Sequence, residues 1–550
     1  MALRNSRPER FRPIGLADAF DQSESFRGAC SNLQNLVFDQ SNPGISVARP
    51  GVTRYVDFAA IGGWNTPGVI SVHIDIGTRI YGMIDTQRFP GREEPFCYDT
   101  LTSAFVPISG VTVDNTPTTA STTGPWTPPT MDEVGAQIIV THPGFDGGGN
   151  PPRFFGILDI SNPAAPTWTC ANTSVNALPS VPTGVAQYNN RAYFILHNAL
   201  VFTDVLAPTV VTNANQVITL GDTSDITVLA PLGISTLTQG VLAALIAFKS
   251  AGQGIWQISG DAAFNNLSVQ PLSNNIGCWA PRSAVNTPEG LKFLGIDGNY
   301  VVTISGQVVP LTNRPGQTNQ DVKQPFIEAL QGQASRAAAG YQQGVYRICL
   351  DTVFQHNAIA GADFWFDEHN RRWNGPHTFA YDCVSAIQDF FVLSSKNVPG
   401  VLFASYPTPH VASTYLDDGA TYFCHMVSGL MPNRNDMAMY CIQENTLEAG
   451  KSAQASDYVV TALDDNDVIL GSVSILTSTA GIYLWDNHNW DQGLWNSASY
   501  VSGIVQLNWA EPIIFKRMKL DVYGQAKSGT AIGQFEMRYQ TLNYLMPTAA

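Results

Sequence analysis

Residues 240–261 read GVLAALIAFKSAGQGIWQISGD, residues 264–285 read FNNLSVQPLSNNIGCWAPRSAV, and residues 287–312 read TPEGLKFLGIDGNYVVTISGQVVPLT. Short apolar runs alternate here with Gly, Asn, Asp and Pro. Val241 to Phe248 is one run, and Gly254 to Ile258 is a second. Gly290 to Gly295, Tyr300 to Ile304 and Gln307 to Leu311 follow. The connectors IDGN and SGQ are short and place Gly where a positive φ is required. Short strands joined by tight turns make antiparallel meanders. Strand and turn in this rhythm predict the blades of a β-propeller.

The rest of the chain supports an all-β fold. It has 550 residues, enough for about two to four units or one large propeller with an addition. Only 13% of residues are charged, against 44% hydrophobic, and 47 Gly and 34 Pro supply turns. Three hairpins look alike: PFCYDTLTSAFVPI, FFGILDISNPAAPTWTC and ADFWFDEHNRRWNGP. Each has an aromatic strand, an Asp, a polar turn and an apolar return, as a degenerate repeat would. A spacing of about 50–60 residues predicts about six blades. Residues 1–60 read as an N-terminal arm, 61–412 as the propeller, and 413–550 as a β-sandwich-like domain of eight longer strands. One short helix is expected within Asn319 to Gln333, starting near Pro325. Trp256 and Trp279 are expected as core anchors.

The opening stretch also resembles a known family. The segments giWqisG, iGcwAprSav and GlkFLgidGnyvv are similar to a recurrent passage of podovirus packaged-DNA stabilisation and tail-nozzle proteins. The start of the chain adds Asn35–Leu36 and the corner Arg49–Pro50–Gly51 before a strand at Val52 to Phe58. The likeness covers about residues 20–58 and 237–380. It implies a structural, non-enzymatic virion protein assembled in the bacterial cytoplasm. It implies a ring, expected as a homohexamer, below the portal and its adaptor, contacting tail fibre or needle proteins. Such a ring would line the channel that retains packaged double-stranded DNA and conducts it at ejection. No cofactor is expected.

Charge fits that expectation. The formal net charge of −15 is wrong for a dedicated nucleic-acid binder. An acidic lumen would let a polyanion slide with little adhesion. Ordinary solubility explains the same number. Arg4, Arg7, Arg10 and Arg12 make a basic tip, read as a solvated tail or a dock for an acidic partner.

No catalytic, cofactor or metal constellation is expected. The eight cysteines lack C-x-x-C spacing and read as buried free thiols of a reducing compartment. No secretory signal or membrane span is expected. His425 and Ser428 lie close in a strand-like run without a nucleophile elbow. His369 and His377 straddle a turn. Asp464, Asp465 and Asp467 lack the twelve-residue calcium loop. The glycines of FDGGGN precede Pro-Pro and a strand, which makes a hairpin tip and not a phosphate cradle. Lys516, Arg517 and Lys519 read as a solvated or interface face.

The alternative reading is a glycan-binding or glycan-cleaving propeller, such as a tail depolymerase. Its best candidate is WDNHNWDQGLWN at 485–496. Asp491–Gln492–Gly493 matches the centre of a sialidase Asp-box, but Asn489 replaces its Ser and Trp495 comes a residue early. A secreted adhesion module is disfavoured by the missing signal.

Overall fold

The computed structural model describes the chain apart from residues 1–2, 6–8, 18–27, 39–45, 60–69, 86–87, 119–128, 146–151, 237–239, 251–253, 262–265, 313–321, 324, 328–336, 351–352, 355–358, 361, 396–397, 409–415, 432–439, 451–455, 478–501, 527–535, 543–544 and 548–550. The described residues are nearly all β. Six four-stranded sheets stand free as propeller blades.

Blade 1 contains Ile70–Ile76, Arg79–Asp85, Glu93–Asp99 and Ala104–Phe105. Blade 2 contains Thr130–Val134, Gln137–Thr141, Phe155–Asp159 and Thr167–Ala171. Blade 3 contains Gly184–Tyr188, Arg191–Leu196, Ala199–Phe202 and Val217–Thr219. Blade 4 contains Ile226–Thr236, Gly240–Lys249, Ile255–Ser259 and Ser268–Ser273. Blade 5 contains Val285–Thr287, Gly290–Leu294, Asn299–Thr303 and Val308–Pro310. Blade 6 contains Cys383–Ile387, Phe390–Ser395 and Val398–Ser405, and takes its fourth strand, Thr53–Asp57, from the start of the chain.

A further meander stands between blades 5 and 6. Its strands are Ala338–Gln342, Val345–Cys349, Asp363–Asp367 and Arg372–His377, and it is called the stem below. The inner strands of blades and stem contact one another in sequence, and blade 6 returns to blade 1. Residues 240–312 therefore form the passage from blade 4 to blade 5. All five apolar runs read there coincide with strands.

The three similar hairpins occupy equivalent places, as third and fourth strands of blade 1, blade 2 and the stem. Their shared Asp has a local cause. Asp99, Asp159 and Asp367 each accept an N–H a few residues on, from Leu101, Ser161 and Asn370, which closes the turn.

The stem does not end at its fourth strand. It continues through Ala29–Gln34 into Cys424–Ser428, Lys519–Ala526, Ser456–Leu463 and Ile469–Thr477 as one larger sheet. A second sheet joins Leu3–Asn5, Glu9–Phe11, Leu36–Phe38 and Ser46–Ala48 to Tyr440–Gly450, Ser502–Phe515, Glu536–Leu542 and Leu545–Pro547. Of the strands expected after residue 413, the one at 481–487 lies outside the described residues; those described share both sheets with strands from residues 1–60. One apolar cluster serves the stem and these strands, with Leu33, Phe38, Phe364, Trp373, Met426, Phe515 and Val522 among its members. The basic tip is not a free tail. Arg4 pairs with Met546 and Arg10 with Thr541 in the strand ladders.

Residues 325–327 are helical, as the Pro325 start predicts. The tryptophan expectation is corrected in part. Trp256 is half-buried against the core between blades 3 and 4, whereas Trp279 is 40% exposed. The chain alternates there: Cys278 and Ala280 point into the core, so Trp279 points out. Among the described residues the fully buried tryptophans are Trp168, Trp365 and Trp373.

Candidate functional site

The inner strands enclose an axial cavity of about 400 Å³. Its polar lining includes Thr130, Asp132, Thr227, Arg282 and Asn286. Inner strands of neighbouring blades diverge, so their backbones cannot ladder directly. Side chains bridge them instead. Thr130 Oγ1 accepts the Val185 N–H at 3.0 Å, and Asp132 Oδ2 accepts the Gln187 N–H at 2.6 Å, stitching blade 2 to blade 3. Thr227 donates to the Cys278 carbonyl at 2.9 Å, and Asn286 donates to the Pro231 carbonyl. Arg282 donates to the Asp382 carbonyl at 2.6 Å. Burial raises the Asp132 carboxyl, opposed by the two N–H groups it accepts. Burial lowers the Arg282 guanidinium. Asp132 is the only carboxylate among these lining residues.

A second polar concentration lies where the chain ends meet the stem and blade 6. Asn35 is fully buried with φ 57°. Its Oδ1 accepts from Arg49 Nε at 2.9 Å and Thr378 N at 3.0 Å, and its Nδ2 donates to the Phe423 carbonyl at 2.7 Å. Three remote segments meet on one side chain. Arg49 forms an ion pair with Asp417 and lies 4.4 Å from the Tyr422 ring centre. Nearby, Arg347 pairs with Asp363 at 2.6 Å, both 1% exposed. Trp365, Tyr381 and Phe391 surround that guanidinium at 4.6–5.1 Å. Asp363 also accepts from Trp365 Nε1 at 2.7 Å and Tyr381 Oη at 2.8 Å.

His377 sits in this junction. It is fully buried, and neither ring nitrogen has a hydrogen-bond partner. Its ring meets Trp365 edge-on at 5.0 Å. The sequence marked His377 only through its spacing from His369. Among the described residues the other buried imidazole differs: His142 accepts the Gly144 N–H on Nδ1 and faces Glu93 at 3.3 Å.

The remaining sequence candidates are placed as follows. His425 takes both its ring contacts from Asn32, at 2.9 Å, and Asp521, at 2.8 Å. Ser428 donates to the Gly429 carbonyl and accepts the Leu520 N–H, so the two do not form a dyad. Asp465 faces Arg517 at 3.6 Å, and Asp467 pairs with Lys519 at 2.8 Å. Two carboxylates of the acidic loop thus face two cations of the basic cluster, and no metal-holding group occurs among the described residues. All eight cysteines are free, six of them buried. WDNHNWDQGLWN and the glycines of FDGGGN lie outside the described residues. Among described residues no helix is long and apolar enough to cross a membrane.

No family model matches the chain. No curated protein matches it either. Solved structures do resemble it. The exo-β-1,3-galactanase of Phanerochaete chrysosporium is 7% identical, with 90% of this chain and 100% of that one covered and a TM-score of 0.25. The β-propeller domain of the Trilobed protease from Pyrococcus furiosus, described as having an open velcro topology, is 7% identical, with 62% and 95% covered and a TM-score of 0.33. A puromycin hydrolase is 9% identical, with 69% and 61% covered and a TM-score of 0.37. The expectation of a non-enzymatic chain is corrected by these findings, because proteins named as enzymes stand among its structural neighbours. Likeness at this level assigns no activity to the chain.

Proposed function

We propose that the chain is a component of a short phage tail, forming a ring with copies of itself below the portal and adaptor and lining the path of the DNA. The observation that supports this best is the continuity of the stem sheet. It begins as a propeller unit at Ala338–Gln342 and runs through Ala29–Gln34 into the strands after residue 413. The stem meets Ala29–Gln34 through one ladder pair, Gly375 with Leu33, and through a shared apolar cluster, so load on one part reaches the other through packed contacts. A ring that retains pressurised DNA needs that property. The net charge of −15 suits a lumen through which a polyanion slides. Head-to-tail contacts would close the ring.

A glycan-cleaving propeller calls for two carboxylates facing one cleft. Asp132 alone, with both oxygens bonded to backbone N–H groups, does not supply that pair in the axial cavity.

Electron microscopy and native mass measurement of the chain, alone and mixed with an adaptor ring, test the proposal. Rings of about six copies are expected. A chain that stays monomeric in both mixtures refutes it.

A further inference from the structure

We propose that His377 is an acid-sensitive latch that holds the chain-end strands against the propeller. Buried polar atoms are almost always partnered, so a buried imidazole with both nitrogens unpartnered needs a reason. The neutral ring tolerates this site because it packs on Trp365 as an aromatic disc. A protonated ring would not. It would carry charge into a buried junction already holding the guanidinium groups of Arg49 and Arg347.

The acidic groups nearby are already committed. Asp363, directly across the ladder from His377, has its oxygens taken by Arg347, Trp365 and Tyr381. Asp417 is bound by Arg49, and the Tyr422 hydroxyl donates to the Arg49 carbonyl. An imidazolium N–H could take an oxygen of Asp363 or Asp417 only by competing with one of these bonds.

The direction of the pH effect follows. A histidine in the opened chain titrates near 6.5, whereas burial, then Arg49, then Arg347, depress it well below that value in the folded chain. The opened state therefore takes up the proton first as pH falls. His377 therefore adds no pH dependence to junction stability above about pH 6.5 and lowers that stability below it. One proton makes opening about tenfold more favourable per pH unit, until the folded-state value is reached.

The segments released are those that meet on Asn35: the turn at 34–36, Thr378 beside His377, and residues 417–423. This inference stands apart from the tail proposal, since it concerns the junction in a single chain.

Hydrogen exchange read by mass spectrometry, corrected for intrinsic exchange rates, tests it between pH 7.5 and 5.0. In the wild-type chain, peptides spanning 29–38 and 417–428 should gain exchange about tenfold per pH unit below about 6.5. His377→Phe keeps an aromatic disc without a titrating nitrogen and should flatten that response. His377→Gln should flatten it too, which covers the case that the phenyl ring does not fit. A wild-type chain without acid response at these peptides overturns the inference. So does an unchanged response in both variants, or an imidazole titrating near 6.5 in the closed junction.

Discussion

Asn35→Ala is expected to be among the most damaging single changes outside the apolar core. The side chain is fully buried and joins three segments. Alanine removes the acceptor of Arg49 Nε and of Thr378 N, and the donor to the Phe423 carbonyl. Each buried group left without its partner costs about 1–3 kcal/mol. A left-handed residue at φ 57° adds about 1 kcal/mol, because alanine lacks the local hydrogen bonding that lets asparagine adopt it. The lower ends of these ranges total about 4 kcal/mol. Asn35→Asp is the control. It keeps the acceptor and the left-handed preference but sets a carboxylate oxygen against the Phe423 carbonyl, so a loss of about 1–3 kcal/mol, smaller than that of Asn35→Ala, is expected. Urea unfolding followed by tryptophan fluorescence is suitable, because the buried Trp365 packs beside this junction. An Asn35→Ala chain within about 1 kcal/mol of wild type would refute the reasoning. Equal losses in Asn35→Ala and Asn35→Asp would do the same.

Further outcomes are expected elsewhere. Arg347→Met should cost about 3–5 kcal/mol by stranding the Asp363 carboxylate, and adding Asp363→Leu should recover part of the loss in a double-mutant cycle; strictly additive losses would argue against a coupled pair. At Gly156, a Cβ would stand 1.9 Å from Trp168 Cη2, and that ring is 1% exposed, so Gly156→Ala should cost about 1–3 kcal/mol or more in thermal unfolding while Trp168→Leu in the same chain relieves the clash. Burial pushes the Cys97 thiol up to about 11 and Cys170 and Cys278 up to about 12, so native protein at pH 8 should react with a thiol reagent far more slowly than urea-unfolded protein, and rapid native labelling of Cys278 would contradict the packing.

Local pattern carried much of the architecture. The runs between 240 and 312 became strands because alternation and turn residues act over a few positions. The repeated Asp of the three hairpins was legible for the same reason: Asp99 bonds to Leu101, two residues away. The helix start at Pro325 was also local. At the candidate site, Asn35 and Arg49 were visible only as parts of an opening motif. The axial lining of Asp132 and Arg282 carried no sequence signal, since each bonds to backbone of a remote element.

By itself, then, the sequence determined an all-β chain, its short meanders, and the free, mostly buried cysteines. Tertiary structure alone decided how the ends are used. Thr53–Asp57 closes blade 6 against Val398–Ser405, and Ala29–Gln34 lies between the stem and Cys424–Ser428. Strand edges pair with whatever complementary edge the folded chain leaves open, and no local periodicity encodes that choice. The same holds for His377. Its spacing from His369 showed a turn, but only the packing of Arg49, Arg347 and Trp365 around it made it a buried imidazole without a partner.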